Sequence, residues 1–414
     1  MPKSLTRHGR YRRLPRRPFP SALLAALLAA TAGSAWAQVE TGLERLLRDP
    51  WMLAGARVGL IANATSVDSR LKHAVDLLRD HPQIELVALY APEHGLAGAA
   101  QAGARVADTV DTASGLPVYS LHGDTRDVNF ASLHGVDALV FDLHDVGTRY
   151  YTYISTLYRV LEAAAAADLR VVVLDRPNPL GGVRVEGPVL RAELISFLGA
   201  DALPIRHGMT VAELARFFNR DIGAELEVIA MTGWRRDMAF EDTALPWVMP
   251  SPNMPTVATA LVYPATGLLE GTNLSEGRGT TRPFELLGAP YIDGRALAER
   301  LDQLNLPGVQ FRAATFKPTF SKYAGMQVSG VQIHVTDKAA FEPVRTGLEV
   351  LAKVRDLHPD AFIIDRPEHF DHLVGNRWVR TELLEGTPVS EIMLRFAPDL
   401  QSFLSLREGY LLYD

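Results

Sequence analysis

Acidic and polar residues stand directly after several apolar stretches of this sequence. Glu93 and His94 follow the stretch IELVALYAP (residues 84–92) and begin a loop whose side chains are nearly all small. The other polar residues at or just beyond such ends include Asn63, Asp142, Asp145, Asp175 and Glu186. In open parallel sheets, ligands bind outside the carboxyl ends of the strands. If these stretches are parallel strands, one edge of the sheet collects several carboxylates around space for a ligand.

Two carboxyl groups about 5–10 Å apart, one protonated and one ionised, are the machinery of glycoside hydrolysis. Burial and mutual repulsion are expected to raise the pKa of one acid, which can then act as a general acid near neutral pH. Glu93 is the strongest candidate, because neither turn chemistry nor helix capping requires a glutamate at that place. Tyr150, Tyr151 and Tyr153 could stack on a sugar ring, although their helical spacing is more typical of core residues.

The other candidates have structural interpretations as well. An aspartate at a strand end, such as Asp142, often caps the following loop. Asp145 and Arg149 are four residues apart and could simply pair with each other. His94 and His207 could be ordinary loop histidines. The sequence alone leaves these alternatives open.

Several other kinds of site lack their sequence signatures. The chain has no cysteine, which excludes a thiolate nucleophile and a disulfide. It has no G-x-G-x-x-G or G-x-x-x-x-G-K-[ST] motif for a nucleotide and no G-x-S-x-G motif for an acyl-transfer serine. His94, His122, His144, Asp142 and Asp145 could converge on a metal, but no H-E-x-x-H or H-x-x-E-H spacing occurs. We therefore expect no metal and no cofactor.

The amino terminus indicates an exported protein. Residues 1–37 contain a basic segment, the apolar run ALLAALLAATAG and a small-x-small site at Ala35-Trp36-Ala37, which together predict a signal peptide. The run is too short for a membrane span, and no later stretch reaches about 18 uninterrupted apolar residues. Without the basic residues of this segment, the net charge changes from −6 to −13. This negative net charge argues against a nucleic-acid partner. The predicted signal peptide leads us to expect a periplasmic location.

Strand-like and helix-like stretches alternate after this segment. Apolar runs predict strands at 57–63, 84–92, 137–143, 170–177 and 226–231, and helical spacing predicts helices at 70–82, 151–167 and 210–219. This alternation is typical of an α/β fold with a parallel sheet and helices on both faces.

A segment rich in Pro, Gly, Asn and Thr interrupts the alternation at about 232–290, and we predict that it is irregular and either functional or a linker. Beyond it, helices at 294–304 and 341–357 and strands at 309–316 and 329–337 predict a second, smaller α/β unit. We therefore predict domains at 40–255 and 256–414.

Several long motifs occur in one order along the chain, among them PEHG, FDLHDVGTRYYTY, DRPNPLGG, VEGP, PSPNMPT and YPATGLLEGTNLSEGRGTTRPFE. With these motifs the sequence resembles the exo-β-N-acetylmuramidases of peptidoglycan recycling, over nearly the whole chain after the signal peptide. The resemblance implies a Rossmann-like parallel-sheet domain followed by a smaller α/β domain, with the active site in the cleft between them. It also implies release of N-acetylmuramic acid from the non-reducing ends of peptidoglycan fragments, so that the expected partner is a saccharide.

The resemblance assigns the residues of this site as expectations. Glu93 of PEHG is the leading catalytic carboxylate, with Glu186 of VEGP as the first choice for the second acid and Glu276 of NLSEGRG as the next. Either Arg278 or Arg149 is expected to bind the lactyl carboxylate of muramic acid. The full substrate-binding set comprises Asn63, His94, Asp142, Asp145, Arg149, Tyr150, His207, Asn273 and Arg278.

Two other classes of protein remain as alternatives. A periplasmic binding protein that holds muropeptides or sugars without cleaving them would also place two α/β lobes around a cleft. Crowded acids favour the enzyme, because an uncharged sugar needs few carboxylates for binding alone. The second alternative is a metal-dependent amidase or esterase, which a chelator would inhibit.

Overall fold

The computed structural model of the protein describes residues 38–123 and 126–414, so the predicted signal peptide lies outside the described residues. A seven-stranded sheet comprises β1 (Arg57–Ala62), β2 (Glu85–Ala91), β3 (Thr109–Val110), β4 (Pro117–Ser120), β5 (Ala138–Asp142), β6 (Arg170–Leu174) and β7 (Glu225–Ile229). Its order is β3-β4-β2-β1-β5-β6-β7. Neighbouring strands are parallel, except that β3 is antiparallel to β4. The five predicted strands are confirmed, and β3 and β4 extend the sheet at one edge.

The central strands are apolar because helices cover both faces of the sheet. Four helices pack against it: α1 (Gly42–Arg48), α2 (Ala74–Arg79), α3 (Tyr153–Ala166) and α4 (Val211–Ile222). Side chains of α1 and α2 share one hydrophobic cluster with the sheet, and side chains of α3 and α4 belong to the cluster on the other face. The predicted parallel sheet with helices on both faces is therefore confirmed.

Local signals in the sequence determine where these helices begin. The Thr210 hydroxyl accepts a hydrogen bond from the Glu213 amide, while the Glu213 carboxylate accepts one from the Thr210 amide, so α4 begins with a capping box. Helix α2 is shorter than the predicted 70–82, because Leu71 has a positive φ of 64° and His73 caps the helix. A residue in the left-handed region interrupts a helix.

The second sheet has three antiparallel strands: β8 (Leu286–Ala289), β9 (Val309–Phe316) and β10 (Val328–Val335). Helices α6 (Gly294–Asp302) and α7 (Pro343–Leu357) pack with it, as the contacts of α6 with β9 and β10 and of α6 with α7 show. The predicted smaller unit is thus present. One hydrophobic cluster continues from the large sheet to this one, through Leu287, Val331 and Val344.

The prediction of an irregular segment at 232–290 is wrong in part, since it contains helix α5 (Val257–Thr266) and the whole of β8. Helix α5 has β-branched residues and an internal proline, Pro264, which weaken the helical signal in the sequence. The Thr256 hydroxyl caps its start, and almost every side chain from Thr259 onward is buried. Burial in the core therefore outweighs poor intrinsic propensity.

Four helices follow α7: α8 (Pro367–Val374), α9 (Arg377–Glu385), α10 (Val389–Leu394) and α11 (Ala397–Arg407). The last residues return to the large sheet, where the Tyr413 hydroxyl donates to the carboxylate of Asp175. Among the described residues, no helix is both long enough and apolar enough to cross a bilayer.

Candidate active site

An inner cavity of about 80 Å³ lies beyond the carboxyl end of β2. Its lining combines residues that follow β2 or precede α3 with residues that surround α5 and precede β8. These residues are Glu93, His94, Ala102, Tyr150, Tyr151, Thr152, Leu198, Ser251, Asn253, Met254, Tyr263, Glu270, Arg278 and Phe284. The cavity thus lies where the part of the chain that forms the large sheet meets the part that leads into the small one.

Glu93 is 7% exposed and contributes its carboxylate to the wall of this cavity. One oxygen, Oε1, accepts a hydrogen bond of 2.8 Å from the Gly103 amide, and the other, Oε2, accepts one of 2.6 Å from the Thr152 hydroxyl. The Nε2 atom of His122 lies 3.8 Å from Oε1. The strand therefore delivers Glu93 to a ligand-sized space, as the sequence predicts.

The pKa of Glu93 is lowered, although the residue is buried. Burial acts to raise it, but the hydrogen bonds from Thr152 and Gly103 and the nearby imidazoles of His94 and His122 outweigh burial and lower it. Glu93 is therefore not the acid with the raised pKa that the mechanism calls for, because donors surround its ionised form.

The loop after Glu93 turns sharply across the cavity. His94 has a φ of 73° and is followed by Gly95 at 77°, and its Nδ1 lies 2.7 Å from the Ala100 carbonyl oxygen. A positive φ in a residue with a Cβ is strained and is typical of functional sites. The Asn253 side chain fixes the far part of this loop by donating a 3.0 Å hydrogen bond to the side chain of Gln101.

Glu270 and Arg278 also line the inner cavity, and Glu276 lies next to Arg278. The Arg278 guanidinium lies 2.9 Å from a Glu270 carboxylate oxygen and 3.2 Å from one of Glu276. Burial opposes ionisation of Glu270, but Arg278 and His369 hold its pKa at about 2. Two acids of the inner cavity, Glu93 and Glu270, are therefore ionised at neutral pH.

Two glycines hold Arg278 in place. Gly277 and Gly279 have φ values of 77° and 79°, and a Cβ at Gly279 would lie 2.5 Å from the Phe320 carbonyl oxygen. Only glycine adopts such angles at low cost. The two glycines of SEGRG therefore allow the backbone conformation that places Arg278 at the cavity.

An outer opening of about 530 Å³ adjoins the inner cavity and shares Ala102, Glu270 and Arg278 with it. The remaining residues around the opening are Gln101, Glu276, Phe320, Ser321, Lys322, Asp365 and Arg366. The Lys322 ammonium donates to the carbonyls of Leu269, Thr272 and Leu274 and lies 3.4 Å from Glu276. Glu276 thus faces the opening between two cations.

Glu186 lies outside the lining of both spaces. Its carboxylate pairs with Arg206 at 2.9 Å and accepts a 3.3 Å hydrogen bond from the Val344 amide at the start of α7. Burial raises the pKa of Glu186 despite this cation. The structure therefore brings Glu276, but not Glu186, into the neighbourhood of Glu93.

The expectation that Arg149 binds a substrate carboxylate is contradicted by its contacts. Its guanidinium is fully buried and donates to the backbone carbonyls of Pro188, Leu203, His372 and Leu373. These bonds tie the large-sheet part of the chain to α8, and they also replace the suggested pair with Asp145. Arg278 is the arginine of the pair that reaches the cavity.

Two aspartates expected at the site have structural partners instead. Asp142 forms a buried bidentate salt bridge with Arg176, whose two guanidinium nitrogens lie 2.6 and 2.8 Å from the two carboxylate oxygens. Asp145 accepts a 2.7 Å bond from the Gly147 amide and lies 3.8 Å from Nε2 of His207. Neither aspartate is part of the cavity lining, so the structural interpretation applies to both.

The amide side chains expected to bind substrate are also engaged within the protein. Asn63 donates to the Tyr153 hydroxyl at 2.8 Å, and Asn273 donates to the Ala361 carbonyl at 2.8 Å. Tyr150 does line the cavity, although its hydroxyl donates to the Tyr263 carbonyl at 3.0 Å. Of the substrate-binding set, the cavity brings together His94, Tyr150 and Arg278.

Sequence reasoning missed Glu270, Thr152 and Asn253 as residues of the cavity. Glu270 stands in the motif YPATGLLEGTNLSEGRG with Glu276, and nothing in the spacing indicates which of the two faces inward. Thr152 follows the tyrosines that attract attention as stacking partners. Among the described residues, no group of three His, Asp or Glu side chains is arranged to hold a metal ion.

Comparisons with known proteins agree with this architecture. The models for the N-terminal and C-terminal parts of the exo-β-N-acetylmuramidase NamZ match residues 58–258 and 261–413. The chain is 51% identical over 379 residues to the peptidoglycan β-N-acetylmuramidase NamZ of Bacillus subtilis, covering 91% of this chain and 92% of the relative.

Two crystal structures of DUF1343 family proteins from Bacteroides fragilis are also similar. They superpose with TM-scores of 0.85 and 0.75 at 36% and 29% identity, and each comparison covers 91% of this chain and 99% of the other. The family models together span most of the described chain, and the similarity to the curated relative extends over the same region. The chain therefore belongs to the NamZ family of exo-β-N-acetylmuramidases.

Proposed function

We propose that this protein hydrolyses the glycosidic bond of terminal N-acetylmuramic acid residues at the non-reducing ends of peptidoglycan fragments, with Glu93 as its acid–base carboxylate. Membership of the NamZ family supports the reaction. The placement of Glu93 supports this role, because its buried carboxylate follows β2 and lines the same cavity as Glu270 and Arg278.

The role of Glu93 requires a change on substrate binding. In the free protein its pKa is lowered, so the carboxylate is ready to accept a proton. To donate a proton to the leaving sugar, Glu93 must first be protonated, which requires a higher pKa. Its pKa rises if substrate binding removes one of its hydrogen-bond donors or excludes water from the carboxylate. The hydrogen bond from Gly103, which lies in an exposed loop, is the contact that a substrate can displace most easily.

Glu270 suits a second, different role. Because Arg278 keeps it ionised at every pH near neutrality, Glu270 cannot serve as a general acid. A fixed negative charge stabilises the positive charge that develops on the sugar ring in an oxocarbenium-like transition state. We assign this electrostatic role to Glu270, with Glu276 holding Arg278 from the outer opening.

Arg278 is the residue that we assign to the lactyl carboxylate of muramic acid. It faces both the inner cavity and the outer opening, and Arg149 is committed to backbone carbonyls. An arginine binds a carboxylate through charge-assisted hydrogen bonds in a fixed geometry. In Arg278→Met, kcat/KM for a muramic acid glycoside should fall about 30-fold more than that for the matching N-acetylglucosamine glycoside.

The direct test compares two chromogenic β-glycosides, one of N-acetylmuramic acid and one of N-acetylglucosamine, with the purified protein. We expect turnover of the first, little turnover of the second, and free muramic acid as the product released from glycan fragments. A binding protein would instead retain muramic acid without releasing chromophore. Sensitivity of the turnover to a chelator would favour the metal-dependent class.

We further propose that the protein is exported to the periplasm and that its signal peptide is removed before Gln38. The basic segment, the apolar run and the small-x-small site of residues 1–37 support this proposal. Mass spectrometry of the mature protein from a periplasmic fraction should give an amino terminus at Gln38. A protein that keeps residues 1–37 in the cytoplasmic fraction would contradict it.

A further inference from the structure

A second pocket of about 530 Å³, here called the basic pocket, is lined by two neighbours of Glu93, Gly103 and His122. It is lined mainly by Arg105, His122, Arg126, Arg159 and Phe197. None of these residues belongs to the inner cavity or to the outer opening. The basic pocket is therefore separate from the space in which we place the terminal sugar.

The basic pocket and the inner cavity adjoin each other along two short segments of the chain. Ala102 lines the cavity and the next residue, Gly103, lines the basic pocket; likewise Leu198 lines the cavity and Phe197 the basic pocket. Glu93 lies at the same boundary, since its Oε1 accepts a hydrogen bond from the Gly103 amide. A bond that Glu93 protonates would therefore lie between a group in the inner cavity and a group in the basic pocket.

The charge of the basic pocket is opposite to that of the protein as a whole. Three arginines line it against one carboxylate, Asp127, although the chain carries a net charge of −6. Arg159 is engaged by Glu162 at 2.9 Å and by Asp127 at 3.8 Å. The Arg126 guanidinium lies 4.7 Å from the centre of the Phe197 ring, which holds it over a flat apolar surface. Arg126 is thus positioned by stacking and keeps donors for an anion.

His122 provides a second, independent indication of a ligand. It is 4% exposed and lines the basic pocket, and its Nδ1 atom has no hydrogen-bond partner among the described residues. Its other ring nitrogen lies 3.8 Å from the Glu93 carboxylate. A buried polar atom without a partner is costly, and a polar group of a ligand in this pocket would satisfy it once the His122 ring turned toward the pocket.

We propose that the basic pocket is the subsite for the glycan beyond the scissile bond, and that Arg126 binds a carboxylate carried by that glycan. The proposal rests on the proposed function, which places the terminal muramic acid in the inner cavity. In a strand of alternating N-acetylglucosamine and N-acetylmuramic acid, the first carboxylate beyond the cleaved bond belongs to the second muramic acid. It is either the lactyl carboxylate itself or a carboxylate of an attached peptide.

The test compares a disaccharide of muramic acid and N-acetylglucosamine with the tetrasaccharide that repeats this unit, both without peptide. In the wild-type protein, kcat/KM should be higher for the tetrasaccharide, and this preference should weaken with added salt. In Arg126→Gln, the ratio of the two kcat/KM values should fall about tenfold, mainly through KM for the tetrasaccharide. Arg126→Lys should keep part of the preference, and Arg126→Glu should reverse it.

Arg395→Gln is the matched control, because Arg395 also lies over an aromatic ring, 3.7 Å from the centre of Trp378, in the helical carboxy-terminal region. In Arg395→Gln, the ratio of kcat/KM for the tetrasaccharide to that for the disaccharide should equal that of the wild type. The same comparison with a tetrasaccharide whose second muramic acid carries a peptide separates the two carboxylates: an effect of Arg126→Gln on this substrate alone identifies the peptide carboxylate as the ligand. A ratio that is unchanged in Arg126→Gln with both the peptide-free and the peptide-bearing tetrasaccharide, or an equal loss on all substrates, would overturn the proposal. Failure of the wild type to cleave either saccharide would refute the proposed function instead.

Discussion

Glu93 and Glu186 are buried to the same degree, at 7% and 8% exposure, and each follows a strand of the same sheet in the sequence. Glu93 is held by neutral donors, Thr152 and Gly103, whereas Glu186 is held by the Arg206 cation. Burial outweighs the cation at Glu186, so the pKa values of the two acids shift in opposite directions. Of the two, only Glu93 lines the inner cavity, which separates a candidate catalyst from a structural acid.

The largest expected effect is on turnover in Glu93→Gln. Removing a general acid–base group should lower kcat on a muramic acid glycoside by roughly 10³-fold, while binding of the sugar is retained. The control is Glu85→Gln, which alters an exposed glutamate at the opposite end of the same strand, β2. Equal turnover in the two variants would remove Glu93 from the chemistry.

Glu186→Gln should show the opposite pattern. The amide keeps an oxygen for the Arg206 guanidinium, and because burial raises the pKa of Glu186, we expect the neutral side chain to change the free energy of unfolding by less than about 1 kcal/mol. Turnover per folded molecule should stay close to that of the wild type. Urea denaturation checks the expected stability, and measurement of kcat checks the expected turnover. A loss of kcat without a loss of stability would restore Glu186 as a catalytic candidate.

A smaller effect than that of Glu93→Gln is expected from the glycine that presents Arg278. In Gly279→Ala, a positive φ and a contact of 2.5 Å with the Phe320 carbonyl oxygen both oppose the methyl group. Gly233→Ala is the control, since Gly233 has a φ of 84° but no atom within 4 Å of the added Cβ. Each should lose about 1 kcal/mol of stability from backbone strain. Only Gly279→Ala should also raise KM, by displacing Arg278.

The smallest effect concerns the dependence of stability on pH. The folded pKa of Glu93 is lowered, so its contribution is present above the unfolded pKa and is lost as the pH falls through the folded value. The folded pKa of Glu186 is raised, so its contribution is present at low pH and is lost as the pH rises through the folded value. The free energy of unfolding can be measured by urea denaturation between about pH 3 and pH 7. Its decrease as the pH falls should be smaller in Glu93→Gln than in the wild type, but not in Glu186→Gln. The same change in both variants would contradict the difference between the two acids.

The fold was predictable where one physical signal dominated. The strands β1, β2, β5 and β6 are continuous apolar runs because helices cover both faces of the sheet, and the capping residues of α4 mark its start. Helix α5 was not predictable, because its sequence has weak helix propensity and only burial in the core stabilises it. The position of Glu93 could be deduced because a strand end is a defined place in a parallel sheet.

The sequence by itself determined that strands deliver acids to one edge of a parallel sheet and that Glu93 is the acid without a local structural purpose. Only the tertiary structure decided that Arg278 reaches the cavity and Arg149 does not, and that Glu270 joins Glu93 while Glu186 pairs with Arg206. The physical reason is that local sequence controls where a side chain leaves the backbone. The partners that it meets come from distant parts of the chain, and those partners decide whether a charge is neutralised inside the protein or left to act on a ligand.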